Sequence, residues 1–230
     1  MTIDSDKILH DLLNSLDSLE GIRPEEIPNI ALYMDQVTTF MDEHLSDCKR
    51  REDDKILTKT MINNYTKNNL LPPPVKKKYS KEHLYVLTFI YYFKNLLSIS
   101  DIQTLLNPLT EQFFEGNDTG SLDDIYKQIY NLCKGEISGI SKDVLEKAHL
   151  SEEAFSTVED TDSREFLQFF SLVSLLSFDV YMKKNIIESL IDDFASRSQQ
   201  EAPHTKSERK AEKAERKAEK AEQKSRRNEK

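Results

Sequence analysis

LTKTMINNYTKNNLLPPPVKKKYSKEHLYVLTFIYYFKNLLSISDIQTLL, residues 57–106, decides the fold, because caps, prolines and apolar spacing divide it into three helices and one extended segment. Thr58 carries an oxygen able to accept from the unpaired amides of a first helical turn, and it opens a helix over 59–68. Met61, Ile62 and Tyr65 recur at helical spacing and form its inward face, leaving Lys59, Thr60, Asn63, Asn64 and Lys67 outward. Leu70 and Leu71 run into Pro72, Pro73 and Pro74, which cannot continue a helix, so Val75, Lys76, Lys77, Lys78 and Tyr79 read as a short extended segment. Ser80 caps the next helix, over 82–97, where Leu84, Leu87, Phe89, Ile90 and Phe93 mark a core element. Ser100 is expected to cap a short helix containing Ile102, Leu105 and Leu106, with Pro108 ending it and the first domain together.

Upstream, Ile8, Leu12, Leu13, Leu16 and Leu19 describe an amphipathic helix over 4–20, stopped by Gly21 and Pro24. Pro28 and Asn29 mark a turn before a second helix over 32–45, with Val37, Phe40, Met41 and a partly buried His44 behind an Asp35 cap. Residues 46–55 lack apolar periodicity and read as an exposed connection. Downstream, Gly116, Asn117, Asp118 and Gly120 form a turn, and Ser121 caps a helix with Leu122, Ile125, Ile129 and Leu132 on one side. Residues 135–160 read as short helices and loops. The longest periodic signal is 162–194, where Phe166, Val173, Val180, Ile187 and Phe194 recur every seven residues with Phe169, Leu176 and Leu190 between them. Burial in an intramolecular bundle and pairing with a second copy both fit that seam, which Lys183 interrupts. The expected organisation is an N-terminal helix (1–26), a helix-rich domain (27–107), a helical effector or dimerisation region (108–198) and a charged tail (199–230) whose alanine seam is too weak to pack.

Charge is unevenly spread over the 230 residues. The net charge of −9 resolves into −9 over 1–48, +6 over 49–83, −11 over 84–205 and +5 over 206–230. A short basic segment inside an acidic body presents one face to a polyanion and turns the rest away. Five glycines leave little material for phosphate-cradling loops, and the histidines at 10, 44, 83, 149 and 204 stand in no metal-binding or nucleophile motif. His83 reads as a surface residue of a first turn, and the adjacent pairs Asp123–Asp124 and Asp192–Asp193 point in different directions along their helices. No enzyme, metal or cofactor is expected. Cys48 and Cys133 are isolated and suit a reducing interior. The acidic start is unlike a signal peptide, and the apolar run 166–178 is shorter than the roughly 20 residues of a membrane helix. A cytoplasmic chain with no membrane span and a buried helix at 166–178 is therefore the expectation.

The order of capped helix, Leu-Leu-Pro-Pro, basic extended stretch, Tyr-Ser and two further helices resembles the winged helix-turn-helix of mercury-resistance regulators (MerR-like). Thr58 stands at that family's capping serine, Ile62 and Tyr65 at its core leucine and tyrosine, and Lys67 at a basic position. Leu70, Leu71, Pro72 and Pro73 match directly, Lys77 falls at the wing arginine, and Tyr79 and Ser80 fall at the closing pair. Thr60 and Asn63 replace the usual arginines, the wing is truncated, and about ten extra residues separate the first two helices. Over 27–135 the chain is more closely similar to domain of unknown function 1836, a resemblance that implies bacterial origin and supplies no activity.

The resemblance implies an all-α protein: a winged helix-turn-helix followed by a helical bundle with a long helix and a flexible tail. It also implies double-stranded DNA as partner, read by Lys59, Thr60, Asn63, Asn64 and Lys67 and gripped by Lys76, Lys77, Lys78 and Tyr79, in a homodimer joined through 162–194. Amides pair with adenine edges and lysines hold phosphates, so these residue types suit that task. The alternative is a helix-turn-helix fold serving as a protein-interaction scaffold. An effector site in 108–198 is compatible with either, and Phe166, Phe169, Phe170 and Phe178 supply material for an apolar pocket or for ordinary core.

Overall fold

The computed structural model describes residues 21–116 and 120–201; the expected helix over 4–20 and nearly all of the charged tail lie outside the described residues. The chain divides into two units, residues 1–188 and 189–230. The described part of the second, 189–201, is helical. The elements are β1 (Leu32–Tyr33), α1 (Met34–His44), a 3-10 turn (Ser46–Cys48), α2 (Lys59–Lys67), β2 (Lys78–Tyr79), α3 (Lys81–Phe93), α4 (Ile99–Phe113), α5 (Leu122–Ala154) and α6 (Thr161–Glu201). Among the described residues the fold is largely all-α with one two-stranded sheet.

α3 is the hub. Its residues His83 to Tyr91 are all buried, and a helix apolar on every side must be surrounded. It contacts α4, α5 and β2, while α1 contacts α2, β1 and β2. Lys81 Nζ, 2.7 Å from the Asp123 carboxylate, and the Tyr85 hydroxyl both donate to that group, as does Lys127 one turn along α5. Burial works against the Asp123 carboxylate, but the hydrogen bonds from Lys127, Lys81 and Tyr85 outweigh it and hold its pKa well below the usual range. Tyr126 of α5 donates to the Ile22 carbonyl at 2.6 Å and ties in the entering chain. Asp123→Ala leaves the buried Tyr85 hydroxyl and Lys81 without their acceptor. A loss of about 2–3 kcal/mol in urea denaturation is expected, against about 0.5 kcal/mol or less for Asp193→Ala, whose partner Arg197 is an exposed i,i+4 neighbour.

Thr58 caps α2, its hydroxyl accepting from the Met61 amide at 3.2 Å. Asn69, at φ 56°, ends it: Leu70 N–H donates to the Tyr65 carbonyl at 2.8 Å and Asn69 N–H to Thr66 at 3.2 Å, the paired bonds of a left-handed helix stop. Leu70 and Leu71, each 1% exposed, then anchor the chain ahead of the prolines. Val75 and Lys78 exchange both backbone bonds, at 3.1 and 3.0 Å, closing a two-residue hairpin turn. Lys76 and Lys77 occupy it at φ 52° and 64°. That is the type I′ geometry, which matches strand twist and ordinarily selects Asn-Gly. β2 pairs antiparallel with β1, Leu32 opposite Tyr79 and Tyr33 opposite Lys78.

Several expectations need correction. Residues 32–33 are strand, and α1 is capped through Gln36, whose side-chain oxygen accepts from the Tyr33 amide at 2.9 Å; Asp35 pairs with Lys59 instead. Ser98, not Ser100, caps α4, its hydroxyl accepting from Asp101 N–H at 3.2 Å. Pro108 lies inside α4, which continues to Phe113. One proline removes one helical amide, and α4 retains its packed face through Ile102 and Leu106. Residues 135–154, expected as short pieces, continue α5 as one helix. The connection 46–55 is exposed at Arg51 to Lys55, but Ile56 and Leu57 beyond it are buried, and Lys94 donates to the Ile56 carbonyl at 2.6 Å.

α5 and α6 run as neighbours. Gln168 donates to the Glu152 carbonyl at 2.6 Å, and Lys147 lies 3.8 Å from Asp179. The burial expected for 166–178 is not found: Phe166, Phe170 and Phe178 are 59%, 58% and 62% exposed. By length and composition alone, Thr161–Ser198 is long and apolar enough to cross a membrane.

Candidate nucleic-acid interface

Ile62 and Tyr65 bury one side of α2, so the side chains between them point away from the core. Thr60, Asn63, Asn64 and Lys67 are exposed, and neither asparagine amide has a hydrogen-bond partner among the described residues. Lys59 is exposed too, but it is ion-paired with Asp35 of α1, which lowers the positive potential at that end of the helix. The face therefore offers two free amides, a hydroxyl and one unpaired lysine.

The hairpin carries the rest. Lys76 and Lys77 stand exposed at the turn, where left-handed backbone angles hold them in conformations that cost an ordinary residue about 1 kcal/mol each. Lys78 is half-buried with its ammonium 4.9 Å above the Tyr33 ring, a cation–π contact that fixes the charge beside the strand. Tyr79 is placed differently: it is 3% exposed and meets the His83 ring edge-on at 5.3 Å. It supports the hairpin from below and does not face solvent.

His83, expected at the surface, is 2% exposed. Its ring lies 4.8 Å from Phe114, and its Nδ1 accepts from the Ser80 amide at 2.9 Å. Because Nδ1 is the acceptor, the neutral ring carries its proton on Nε2. Among the described residues, Nε2 makes no ordinary hydrogen bond. Burial pushes the His83 pKa down, against the nearby carbonyls of Pro73 and Pro72 and the charge of Glu82, which favour the protonated ring. A folded pKa below the ordinary value of about 6.5 means the unfolded chain binds the proton more readily. Stability is thus full above about pH 6.5 and is lost as pH falls toward the folded value. The melting temperature is expected to drop from pH 7.5 to 5.0, and His83→Gln, which keeps an acceptor for Ser80 without titrating, is expected to shrink that drop.

Tyr33 was not singled out from the sequence, and Val75 was read only as part of the extended segment. They are 53% and 72% exposed and flank the hairpin lysines. A signal for Tyr33 was present in its position three residues before Gln36, the spacing of a helix entry. Lys49, in the connection after α1, is paired with Asp42 at 2.7 Å. Among the described residues, no group of three or more His, Cys, Asp or Glu is disposed to hold a metal.

Residues 22–129 match the family model described as Domain of unknown function (DUF1836), which supports that family resemblance over β1 to α4 and the first part of α5. No curated protein matches the chain, and no solved structure does.

Proposed function

We propose that this chain, built on a DUF1836 core over 22–129, is a sequence-specific DNA-binding transcriptional regulator of the winged helix-turn-helix kind, working as a cytoplasmic homodimer. In this reading α2 enters the major groove, with Asn63 and Asn64 on base edges and Thr60 and Lys67 on the backbone. The hairpin is a shortened wing whose Lys76 and Lys77 take phosphates across the groove edge.

The observation that carries the reading is the hairpin tip. Two lysines hold left-handed conformations where Asn-Gly folds more easily, and they stand next in sequence to a helix whose outward face is amide, hydroxyl and lysine. A turn selected for stability alone has no need of them. The exposed α6 face supports the dimer. A membrane is the poorer occupant of that face, because the charge-free run 166–178, bounded by Glu165 and Asp179, is shorter than the roughly 20 residues a span needs.

The second reading, a protein-interaction scaffold, is favoured by the Lys59–Asp35 pair and by the 14-residue connection between α1 and α2, long for a helix-turn-helix. Asn63→Ala/Asn64→Ala separates the two. On DNA, the pair of substitutions is expected to flatten the preference for a selected duplex over scrambled duplex by about 10-fold or more, while Lys67→Ala weakens both duplexes alike. A scaffold shows no duplex preference to lose.

A further inference from the structure

In a protein of net charge −9, one polar cleft is lined by four cations: Arg23 from the entering chain, Lys81 from the first turn of α3, and Lys127 and Lys134 from α5. Its volume is about 720 Å³, and Glu25 is the one acid among its lining side chains. Lys127, Asn131 and Lys134 share a face of α5 because they follow one another at helical spacing. The neighbouring carboxylates are engaged: the Arg23 amide donates to Glu26 at 3.2 Å, and the Ser121 hydroxyl donates to Asp124 at 2.7 Å.

Two of the four cations are ordered in advance. Lys81 and Lys127 hold the single Asp123 carboxylate between them, the Tyr85 hydroxyl donates to it as well, and the Lys81 ammonium lies 5.4 Å from the centre of the Tyr85 ring. One carboxylate cannot neutralise two ammonium groups, and each ammonium has three N–H donors, so donors and charge are left over on the cleft side. Side chains already fixed by the protein lose little freedom when a ligand arrives. Arg23 is exposed, and among the described residues its guanidinium has no ion-pair partner. Four cations against Asp123 and Glu25 leave a surplus of two positive charges in the cleft.

We propose that this cleft binds a phosphate dianion, free or carried as a small monoester, with Arg23 giving paired donors to its oxygens and Lys81 and Lys127 supplying the remaining charge. The dianion matches the surplus, whereas a DNA phosphodiester carries one charge. None of these residues belongs to α2 or to the hairpin turn, so the site is independent of the DNA-binding reading.

The test titrates the full chain by calorimetry with inorganic phosphate and with phenyl phosphate, at constant ionic strength. Expected is saturable binding of one anion per chain, weakened about 10-fold by Arg23→Gln and by Lys127→Gln. Lys183→Gln, which removes an exposed lysine paired with Asp179 on α6, is expected to leave it unchanged. Equal affinity for the two probes assigns the free anion, and tighter binding of phenyl phosphate assigns an ester. The wild-type chain gives a second readout: its melting temperature is expected to rise with the bound probe and not with phenol or with chloride of equal ionic strength. Heat that fails to saturate by about 10 mM, or affinity lost equally in Lys183→Gln, overturns the proposal. Neither arm reads DNA affinity, so failure here leaves the regulator reading to its own tests.

Discussion

Replacing Lys76 with Asn and Lys77 with Gly is expected to stabilise the protein and, on the proposed reading, to weaken its binding to DNA at once. Both positions hold positive φ, 52° and 64°, in a two-residue turn that Asn-Gly adopts with least strain. Relief of the left-handed penalty at two residues, less the greater chain entropy of glycine, leaves a gain of about 1–2 kcal/mol, read as a raised urea midpoint. On the proposed reading the same change removes two phosphate contacts. Affinity is expected to fall for selected and scrambled duplex alike, and the slope of log affinity against log salt, between about 50 and 200 mM, to become shallower by about 2. The opposite signs make the experiment informative. Added stability with unchanged DNA binding identifies Lys76 and Lys77 as ordinary turn residues and removes the main support for a wing.

The second large effect is expected at α6. Val173 and Val180 lie one heptad apart and are 43% and 54% exposed, beside the still more exposed Phe166, Phe170 and Tyr181. So many large apolar side chains on one helix form a patch of the kind that marks an interface. Val173→Glu/Val180→Glu places two charges in the seam while keeping helix formers on an exposed face. The wild type is expected to sediment as a dimer at micromolar concentration and the variant as a monomer with unchanged helical circular dichroism. Because two half-sites bound together gain avidity of about 10²–10⁴, duplex affinity is expected to collapse with the dimer. A wild type that is already monomeric, or a variant that stays dimeric, removes α6 as the pairing element.

How much of this was legible in the sequence varies by element. Thr58, Ser80 and Ser121 could be read as caps because a short polar side chain before a periodic run has one favourable use. Ser98 was passed over for Ser100 because both precede the same apolar positions, and the choice rests on where Leu97 buries. β1 and β2 are two residues each, too short for alternation to register. Tyr79 was assigned to the DNA face for that reason; its pairing opposite Leu32, which no local pattern reveals, turns it inward. His83 was misplaced because α3 is buried on all sides, so helical spacing there carries no information about facing. The outward residues of α2 were readable from the burial of Ile62 and Tyr65 alone. The apolar hollow between α3 and α5, lined by Phe89, Phe93, Cys133 and Ile137, was not, since it arises between two helices about 40 residues apart. For α6 the apolar stripe was plain, and its exposure is a property of the fold that the stripe itself does not encode.

The most direct measurement is fluorescence anisotropy of the full chain on a duplex from upstream of its own coding sequence and on scrambled DNA of equal length, at two salt concentrations, with Lys77→Glu/Asn63→Ala alongside. Preference for the upstream duplex, weakening with salt, and loss of both in the variant are the results expected of a regulator that reads DNA through α2 and the hairpin. Absence of binding to either duplex at low salt contradicts it, and makes the same helices a surface for protein partners.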